Sequence, residues 1–181
     1  MSRNTAAPTG RERFLAHDEI IVSKTDLKGH ITYANKVFLD IADYVEEEVL
    51  GRPHNLIRHP EMPRAIFHLL WEELQAGREI FAYVKNMCKN GDHYWVFAHV
   101  TPSFDEHGAI IGYHSNRRAP GRPAIEEMER LYARLRQAEA SAPRPKEQLV
   151  RGRAELDAAL KEAGLGYEPY CLSIWQGRAA A

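Results

Sequence analysis

The stretch IFAYVKNMCKNGDHYWVFAHV, residues 80–100, decides the fold class of this 181-residue chain. It contains two runs rich in β-branched and aromatic residues, 80–84 and 93–100, with Asn90 and Gly91 between them. Asn-Gly between two such runs is a strong hairpin signal, because both central residues of the tight turn need φ > 0. The stretch therefore predicts an antiparallel β-hairpin.

Further strands and helices are predicted on both sides of this hairpin. The runs 19–26 and 30–35 and the segment from 109 to about 116 are β-rich and bounded by turn residues. Between them, apolar residues recur at helical spacing over about 61–76. Two strands, a helical insert and a three-strand meander indicate an α+β fold, with a five-stranded antiparallel sheet and helices on one face.

The chain divides into three predicted regions. Residues 1–18 are polar and predict a mobile N-terminal arm, and residues 19–118 form the central domain. Residues 119–181 predict a helical C-terminal extension, which ends in an aromatic segment at 167–175 that should dock on another surface. A helix in this extension carries an apolar stripe at 3-4-3 spacing, formed by Ile125, Met128, Tyr132 and Leu135. We expect the stripe to fold back onto the domain or to pair with its copy, and we predict a homodimer.

Composition excludes several classes of protein. The net charge is −1, so nothing favours general attraction to nucleic acid. The two cysteines, Cys88 and Cys171, form no CxxC pair, so we predict no disulfide framework. This use of cysteine predicts a cytoplasmic location. No segment approaches 18 uninterrupted apolar residues, so we predict no membrane span. No catalytic constellation or metal-binding motif is present, and the sequence predicts neither an enzyme nor a metalloprotein.

Three segments carry a resemblance to a known family. They are TDLKGHITYANKVF at 25–38, LGRPHNLIRHPEMPRAIFHLLW at 50–71 and VKNMCKNGDHYWVFAHVTP at 84–102. Over about residues 19–118 the chain resembles the PAS domain of bacterial aerotaxis receptors, and RHPxMP followed by KNGDHYW is the specific part of the match. The resemblance implies a PAS fold and a sensor that holds FAD noncovalently and reports redox state or oxygen supply to a chemotaxis or kinase partner. The receptors' membrane and methyl-accepting regions have no counterpart here, which implies a free-standing sensor domain.

The resemblance also implies which residues hold the cofactor. Arg58 and His59 match the family's RHP motif, and a guanidinium forms paired hydrogen bonds with a diphosphate. Glu61 stands where the family usually has Asp, so it is either a cofactor contact or an acidic residue favourable at a helix N-terminus. Asn35 and Asn86 could hydrogen-bond flavin heteroatoms. Asn35 also fits an ordinary helix N-cap, which we favour, whereas Asn86 falls in a predicted strand, where Asn is uncommon.

Two tryptophans could line an apolar pocket beside the flavin ring, Trp71 on the predicted long helix and Trp95 in the meander. Core packing is the default alternative for both. Ile80 departs from the family, because flavin-binding relatives often have a tryptophan at that position.

Two other functions stay open. Some PAS domains bind haem b through a helical histidine, for which His68 is the candidate ligand and His59 the second. The other alternative is a cofactor-free module for interaction or dimerisation. Photochemistry of the phototropin kind needs a cysteine in the segment 56–62, which has none, and Cys88 is predicted to be a buried small apolar residue.

Overall fold

A five-stranded antiparallel sheet forms the centre of the computed structural model, which describes residues 6–177. The strands are β1 Ile21–Thr25, β2 Ile31–Ala34, β3 Ile80–Met87, β4 His93–Phe104 and β5 Ile110–Arg118. Their order across the sheet is β2-β1-β5-β4-β3. The predicted five-stranded antiparallel sheet is confirmed. Residues 1–5 of the predicted arm and 178–181 of the predicted extension lie outside the described residues.

The predicted hairpin pairs β3 with β4 over their whole shared length, from Ile80 opposite Val100 to Met87 opposite His93. Its turn contains Gly91, whose φ of 91° lies in the region that only glycine adopts without strain. A Cβ at this position would lie 2.2 Å from the carbonyl oxygen of Ala7. Glycine is therefore required here by the backbone conformation and by the approach of the N-terminal segment.

The N-terminal segment, predicted to be mobile, is hydrogen-bonded to the hairpin within its described part. Thr9 N donates to Gly91 O at 2.9 Å, Arg13 N to His93 O at 2.7 Å, and His93 N to Arg11 O at 2.9 Å. The contact joins residues about eighty positions apart, and the polar composition of the segment contains no indication of it.

Helices between β2 and β3 cover one face of the sheet, called here the inner face. They are α1 Lys36–Ala42, α2 Glu46–Val49, a 3₁₀ turn at His54–Ile57, and α3 Arg64–Gln75. The long helix begins at Arg64 rather than near residue 61, because Pro63 has the extended backbone of an N-cap residue. Residues that face α3 from the sheet alternate along each strand with residues that face away.

The C-terminal extension folds into α4 Arg122–Ala140, α5 Pro145–Ala163 and α6 Tyr167–Trp175. Helices α4 and α6 pack on the opposite face of the sheet, called here the outer face. Tyr132 on α4 donates from its hydroxyl to the carbonyl of Tyr83 on β3 at 2.5 Å, and Trp175 stacks on Phe97 of β4 with ring centroids 4.6 Å apart. Helices therefore lie on both faces, one set from the domain and one from the extension.

The apolar stripe of α4 is buried inside the chain, because Ile125, Met128, Tyr132 and Leu135 are each at most 4% exposed. Of the two alternatives given above, the stripe folds back onto the domain. It thus gives no support to a homodimer, which stays a prediction. None of the helices within residues 6–177 is long and apolar enough to cross a membrane.

A buried carboxylate joins the extension to the inner face. Glu139, in the last turn of α4, accepts hydrogen bonds from the backbone N–H groups of Arg64 at 3.1 Å and Ala65 at 2.9 Å, at the start of α3. These N–H groups have no partner within their own helix, and the positive end of the helix dipole favours a carboxylate there. A Cβ at Gly152 of α5 would lie 2.6 Å from Glu139 Oε1, so α5 approaches this carboxylate closely.

We expect Glu139→Ala to lower the free energy of unfolding by about 2 kcal/mol, because two N–H groups at the start of α3 lose their acceptor. Urea denaturation followed by circular dichroism measures the change. Glu126→Ala, at an exposed position of the same helix, serves as the control and should stay within about 0.5 kcal/mol of the wild type. Equal loss of stability in both variants would contradict the assigned role of Glu139.

Candidate functional site

A cavity of about 500 Å³ lies between the inner face of the sheet and the helices that cover it. Its apolar wall comes from the 3₁₀ turn, α3, β3 and β4, and includes Ile57, Phe67, Leu70, Leu74, Val84 and Val100. The volume falls in the range of small-molecule sites, which are mostly apolar with a few directed polar groups.

The sheet side of the cavity holds a buried guanidinium. Arg117 on β5 is 3% exposed. Its Nε donates to Ser115 Oγ at 3.1 Å, and its Nη2 donates to Ser23 Oγ at 2.5 Å and to His54 Nε2 at 2.8 Å. Ser115 and Ser23 stand opposite each other on β5 and β1, which places both hydroxyls on the inner face. Three neutral acceptors thus fix the orientation of this cation.

The protonation state of His54 follows from this contact. Burial, with the positive charges of Arg117 and Arg58 nearby, lowers the pKa of His54 to about 3. The ring is therefore neutral at pH 7, and Nε2 accepts from Arg117 while the proton lies on Nδ1. Burial also lowers the pKa of Arg117 to about 10, which leaves the guanidinium charged at pH 7.

Two buried donors at this cavity have no hydrogen-bond partner among the described residues: Asn86 Nδ2 and Arg117 Nη1. Asn86 is 4% exposed, so its amide is not satisfied by bulk solvent. A buried donor without an acceptor costs about 1–3 kcal/mol, so such groups call for an explanation. A ligand that carries hydrogen-bond acceptors on a largely apolar body would match the chemistry of these donors and of the apolar wall.

Two more of the predicted residues lie at this cavity. The guanidinium of Arg58 stacks over the ring of Phe67 on α3, 3.5 Å from its centroid. Trp71, one turn further along α3, meets Tyr113 of β5 edge to face at 5.3 Å. Arg58, Trp71 and Asn86 are thus brought together from three separate elements.

Two predicted residues form a different cluster at the β3 edge, outside the cavity. The buried His59 accepts from Glu61 N at 3.1 Å through Nδ1, and its ring meets His93 edge to face at 5.7 Å. Glu61 accepts from Lys85 Nζ at 2.6 Å, which lowers the pKa of the carboxyl. Burial, with the positive charge of Lys85, lowers the pKa of His59 to about 4.

The structure does not bring the other two predicted residues to the cavity. Asn35 caps α1, accepting from Phe38 N at 3.1 Å, and also bridges to Val22 N and Ile20 O. The favoured N-cap interpretation of Asn35 is confirmed. Trp95 lies on the outer face, where its ring stacks on that of Tyr132 with the ring centroids 6.0 Å apart.

Neither histidine proposed as a haem ligand lines the cavity. His68 is on an exposed side of α3 beside Glu72, and His59 is in the edge cluster. Within residues 6–177 no group of three or more His, Cys, Asp or Glu side chains is placed to hold a metal ion. Cys88 is buried with its Sγ donating to Ile41 O, as predicted for a small apolar residue.

Sequence reasoning missed the polar group of Arg117, His54, Ser23 and Ser115. Ser115 and Arg117 alternate on one strand, which the period of two places on one face. His54 lies inside the recognised segment 50–71. These patterns were present, but only the pairing of β1 with β5 shows that the four side chains meet.

The chain is similar in sequence to proteins of a known family. A family model for the PAS fold matches residues 31–116. The aerotaxis receptor of Escherichia coli (strain K12) is 44% identical over 121 residues, which is 67% of this chain and 24% of the receptor. Phototropin-2 of Oryza sativa subsp. japonica is 29% identical over 80 residues, 44% of this chain and 9% of that protein. The chain thus spans about a quarter or less of the length of these relatives.

Solved structures agree in fold. A light-oxygen-voltage domain studied with a flavin analogue superposes with a TM-score of 0.54 at 20% identity, over 61% of this chain and 83% of that one. The dark structure of the Aureochrome1 light-oxygen-voltage photoreceptor gives 0.53 at 23% identity, over 62% of this chain and 81% of that one. At these identities the likeness concerns the fold alone.

Two histidines with strongly lowered pKa values predict how stability depends on pH, and burial lowers the pKa of a third, His93, as well. His54 and His59 have folded pKa values of about 3 and about 4, below the roughly 6.5 of an unfolded histidine, so the unfolded chain binds more protons between these values. The free energy of unfolding should therefore fall by about 2 kcal/mol per ring between pH 7 and pH 5. Carboxylates with lowered pKa values, such as Glu61, contribute a further loss only at lower pH.

Urea denaturation at pH 7, 6 and 5 measures this dependence. His59→Gln should lose one ring's share of the pH dependence, whereas His107→Gln, at an exposed turn residue, should keep the wild-type slope. The interpretation is wrong if His59→Gln and the wild type lose stability equally over this interval.

Proposed function

This chain belongs to the PAS family, and from that premise we propose that it is a sensor that holds FAD noncovalently and signals redox state or oxygen supply. The observation that carries the proposal is the inner-face cavity, in which apolar walls surround two buried donors without partners. One structure of similar fold is a light-oxygen-voltage domain studied with a flavin analogue, and another is a light-oxygen-voltage photoreceptor, which supports a flavin as the ligand class. FAD in particular is what the resemblance to bacterial aerotaxis receptors implies.

Different residues of the cavity would bind different parts of the cofactor. Asn86 would donate its amide N–H to a ring oxygen or nitrogen, and Trp71 and Phe67 would contact the ring. Arg58, held over Phe67, would offer paired N–H groups to phosphate oxygens. A bound flavin supplies a ring that takes up one or two electrons and changes its charge and hydrogen bonding.

The alternatives have less support in this geometry. A haem would need an axial ligand, and His68 and His59 both lie away from the cavity. A cofactor-free module would leave Asn86 Nδ2 buried without an acceptor. We therefore favour the flavin over both.

The extension offers a route from the cavity to a partner. Helix α3 lines the cavity through Phe67, Leu70 and Trp71, and Glu139 holds its first turn to α4. A second contact joins Arg153 of α5 to Glu72 of α3. We propose that a change in the ligand shifts α3 and is passed to α4 and α5, whose exposed faces a cytoplasmic chemotaxis or kinase protein could bind. Homodimerisation remains part of the proposal, without a role for the buried stripe of α4.

Purified protein should be yellow and release FAD on denaturation. Asn86→Ala should weaken FAD binding by about tenfold or more, because one buried hydrogen bond to the ring is lost. Fluorescence titration of the apoprotein with FAD measures the dissociation constant. His68→Ala, on an exposed side of the same cavity-lining helix, should bind FAD as the wild type does, and a colourless protein that takes up no FAD would refute the proposal.

Hydrogen exchange tests the output route in the full chain. Reduction with dithionite should change amide exchange at the start of α3 and in α4, and Glu139→Gln should diminish the change in α4, because one carboxylate acceptor becomes an amide. Glu126→Gln is the matched control and should keep the wild-type response. Exchange that changes around the cavity but not in α4 of the wild type would contradict this route while leaving FAD binding intact.

A further inference from the structure

The cavity is lined by a buried positive charge, Arg117, that no acidic group among residues 6–177 balances. All hydrogen bonds of Arg117 go to neutral acceptors, namely Ser115, Ser23 and the neutral ring of His54. None of the ion pairs among residues 6–177 includes it. A buried charge is ordinarily paired with an opposite charge, because burial removes the hydration that stabilised it.

The remaining lining residues do not compensate for this charge. Among the described residues no Asp or Glu lines the cavity, whereas Lys28 and Arg58 both do. The ring of Phe38 has its centroid 5.6 Å from Arg117 Cζ and offers only a weak attraction for the cation. The electrostatic environment of the cavity therefore favours a ligand that carries negative charge.

One donor of the guanidinium has no hydrogen-bond partner among the described residues. Nε and Nη2 are held by the serines and His54, which fixes the plane of the group, and Nη1 is buried without a partner. A donor fixed in advance loses little conformational entropy when an acceptor binds, and a charge-assisted hydrogen bond is about twice as strong as a neutral one.

We infer that Arg117 is the residue that makes the cavity select the more negatively charged state of its ligand, through a hydrogen bond from Nη1 to an oxygen or deprotonated nitrogen of the ring. The inference rests on the proposed function, in which the ligand is FAD. Arg117 would then bind the reduced, anionic flavin more tightly than the oxidised, neutral ring. The ratio of the dissociation constants of oxidised and reduced FAD would then depend on Arg117. The affinity that both states share would depend on Asn86 and the apolar wall.

The experiment compares the dissociation constants of FAD oxidised and FAD reduced with dithionite, without oxygen, at pH 8. Arg117→Gln removes the charge and keeps a hydrogen-bonding side chain. We expect it to lower the preference for reduced FAD about tenfold or more relative to the wild type. Arg118→Gln is the matched control, because Arg118 is the exposed next residue on β5 and stands opposite Phe97, on the outer face. It should keep the wild-type preference.

Two further variants separate charge from affinity. Arg117→Lys keeps the charge, so its preference for reduced FAD should stay within about threefold of the wild type. Asn86→Ala should weaken binding of both redox states and leave the preference unchanged. Circular dichroism establishes that each variant is folded.

The outcomes distinguish this inference from the proposed function. If Arg117→Gln binds FAD with the wild-type preference, the inference is wrong and the flavin site stands. If the wild type binds FAD in neither state, both fail. If Arg117→Gln does not fold, the wild type decides: a preference for reduced FAD supports the inference, and equal or weaker binding of reduced FAD overturns it.

Discussion

The pairing of β3 with β4 is the constraint on which the rest of the structure depends. Because side chains alternate across a strand, the register that sets Val84 opposite Val96 also sets Tyr83 opposite Phe97. Val84 and its neighbours of the same parity face the cavity, while Tyr83 and Phe97 face the C-terminal extension. A shift of one residue would exchange the two faces, removing Asn86 from the cavity and the aromatic residues from the extension.

Helix α3 connects these two layers. Its cavity side carries Phe67 and Trp71, and its first turn is held by Glu139 of α4. Pro63 is the N-cap residue of α3, and its side chain cannot accept a hydrogen bond from the first N–H groups of the helix. The carboxylate of Glu139 supplies the missing acceptor. The extension is thus joined to the wall of the cavity by hydrogen bonds as well as by apolar packing on the outer face.

Charge distribution sets the chemistry of the cavity. Arg117 is surrounded by neutral acceptors, and its positive charge contributes to keeping His54 neutral, as the lowered pKa of that ring indicates. The acidic residue of the recognised motif, Glu61, forms its ion pair with Lys85 at the β3 edge. Because this carboxylate is outside the cavity, it does not offset the positive charge within it.

Sequence alone determined the local features of this protein. The Asn90-Gly91 hairpin, the helical spacing before it and the N-cap role of Asn35 follow from backbone preferences and nearest-neighbour hydrogen bonds. The RHP and KNGDHYW motifs identified the family and led to Arg58, Trp71 and Asn86, which do line the cavity.

Only the tertiary structure decided the surroundings of side chains that are adjacent in the motif. Arg58 and His59 are neighbours in sequence, yet one lines the cavity and the other lies in the edge cluster. Periodicity shows which residues share a face of a strand, but it does not show which layer covers that face. The position of Trp95 therefore depends on the packing of α4 on the outer face. The contacts of Arg117 depend on the pairing of β1 with β5. Both depend on contacts between residues distant in sequence, whose free energy is set by packing and not by local preference.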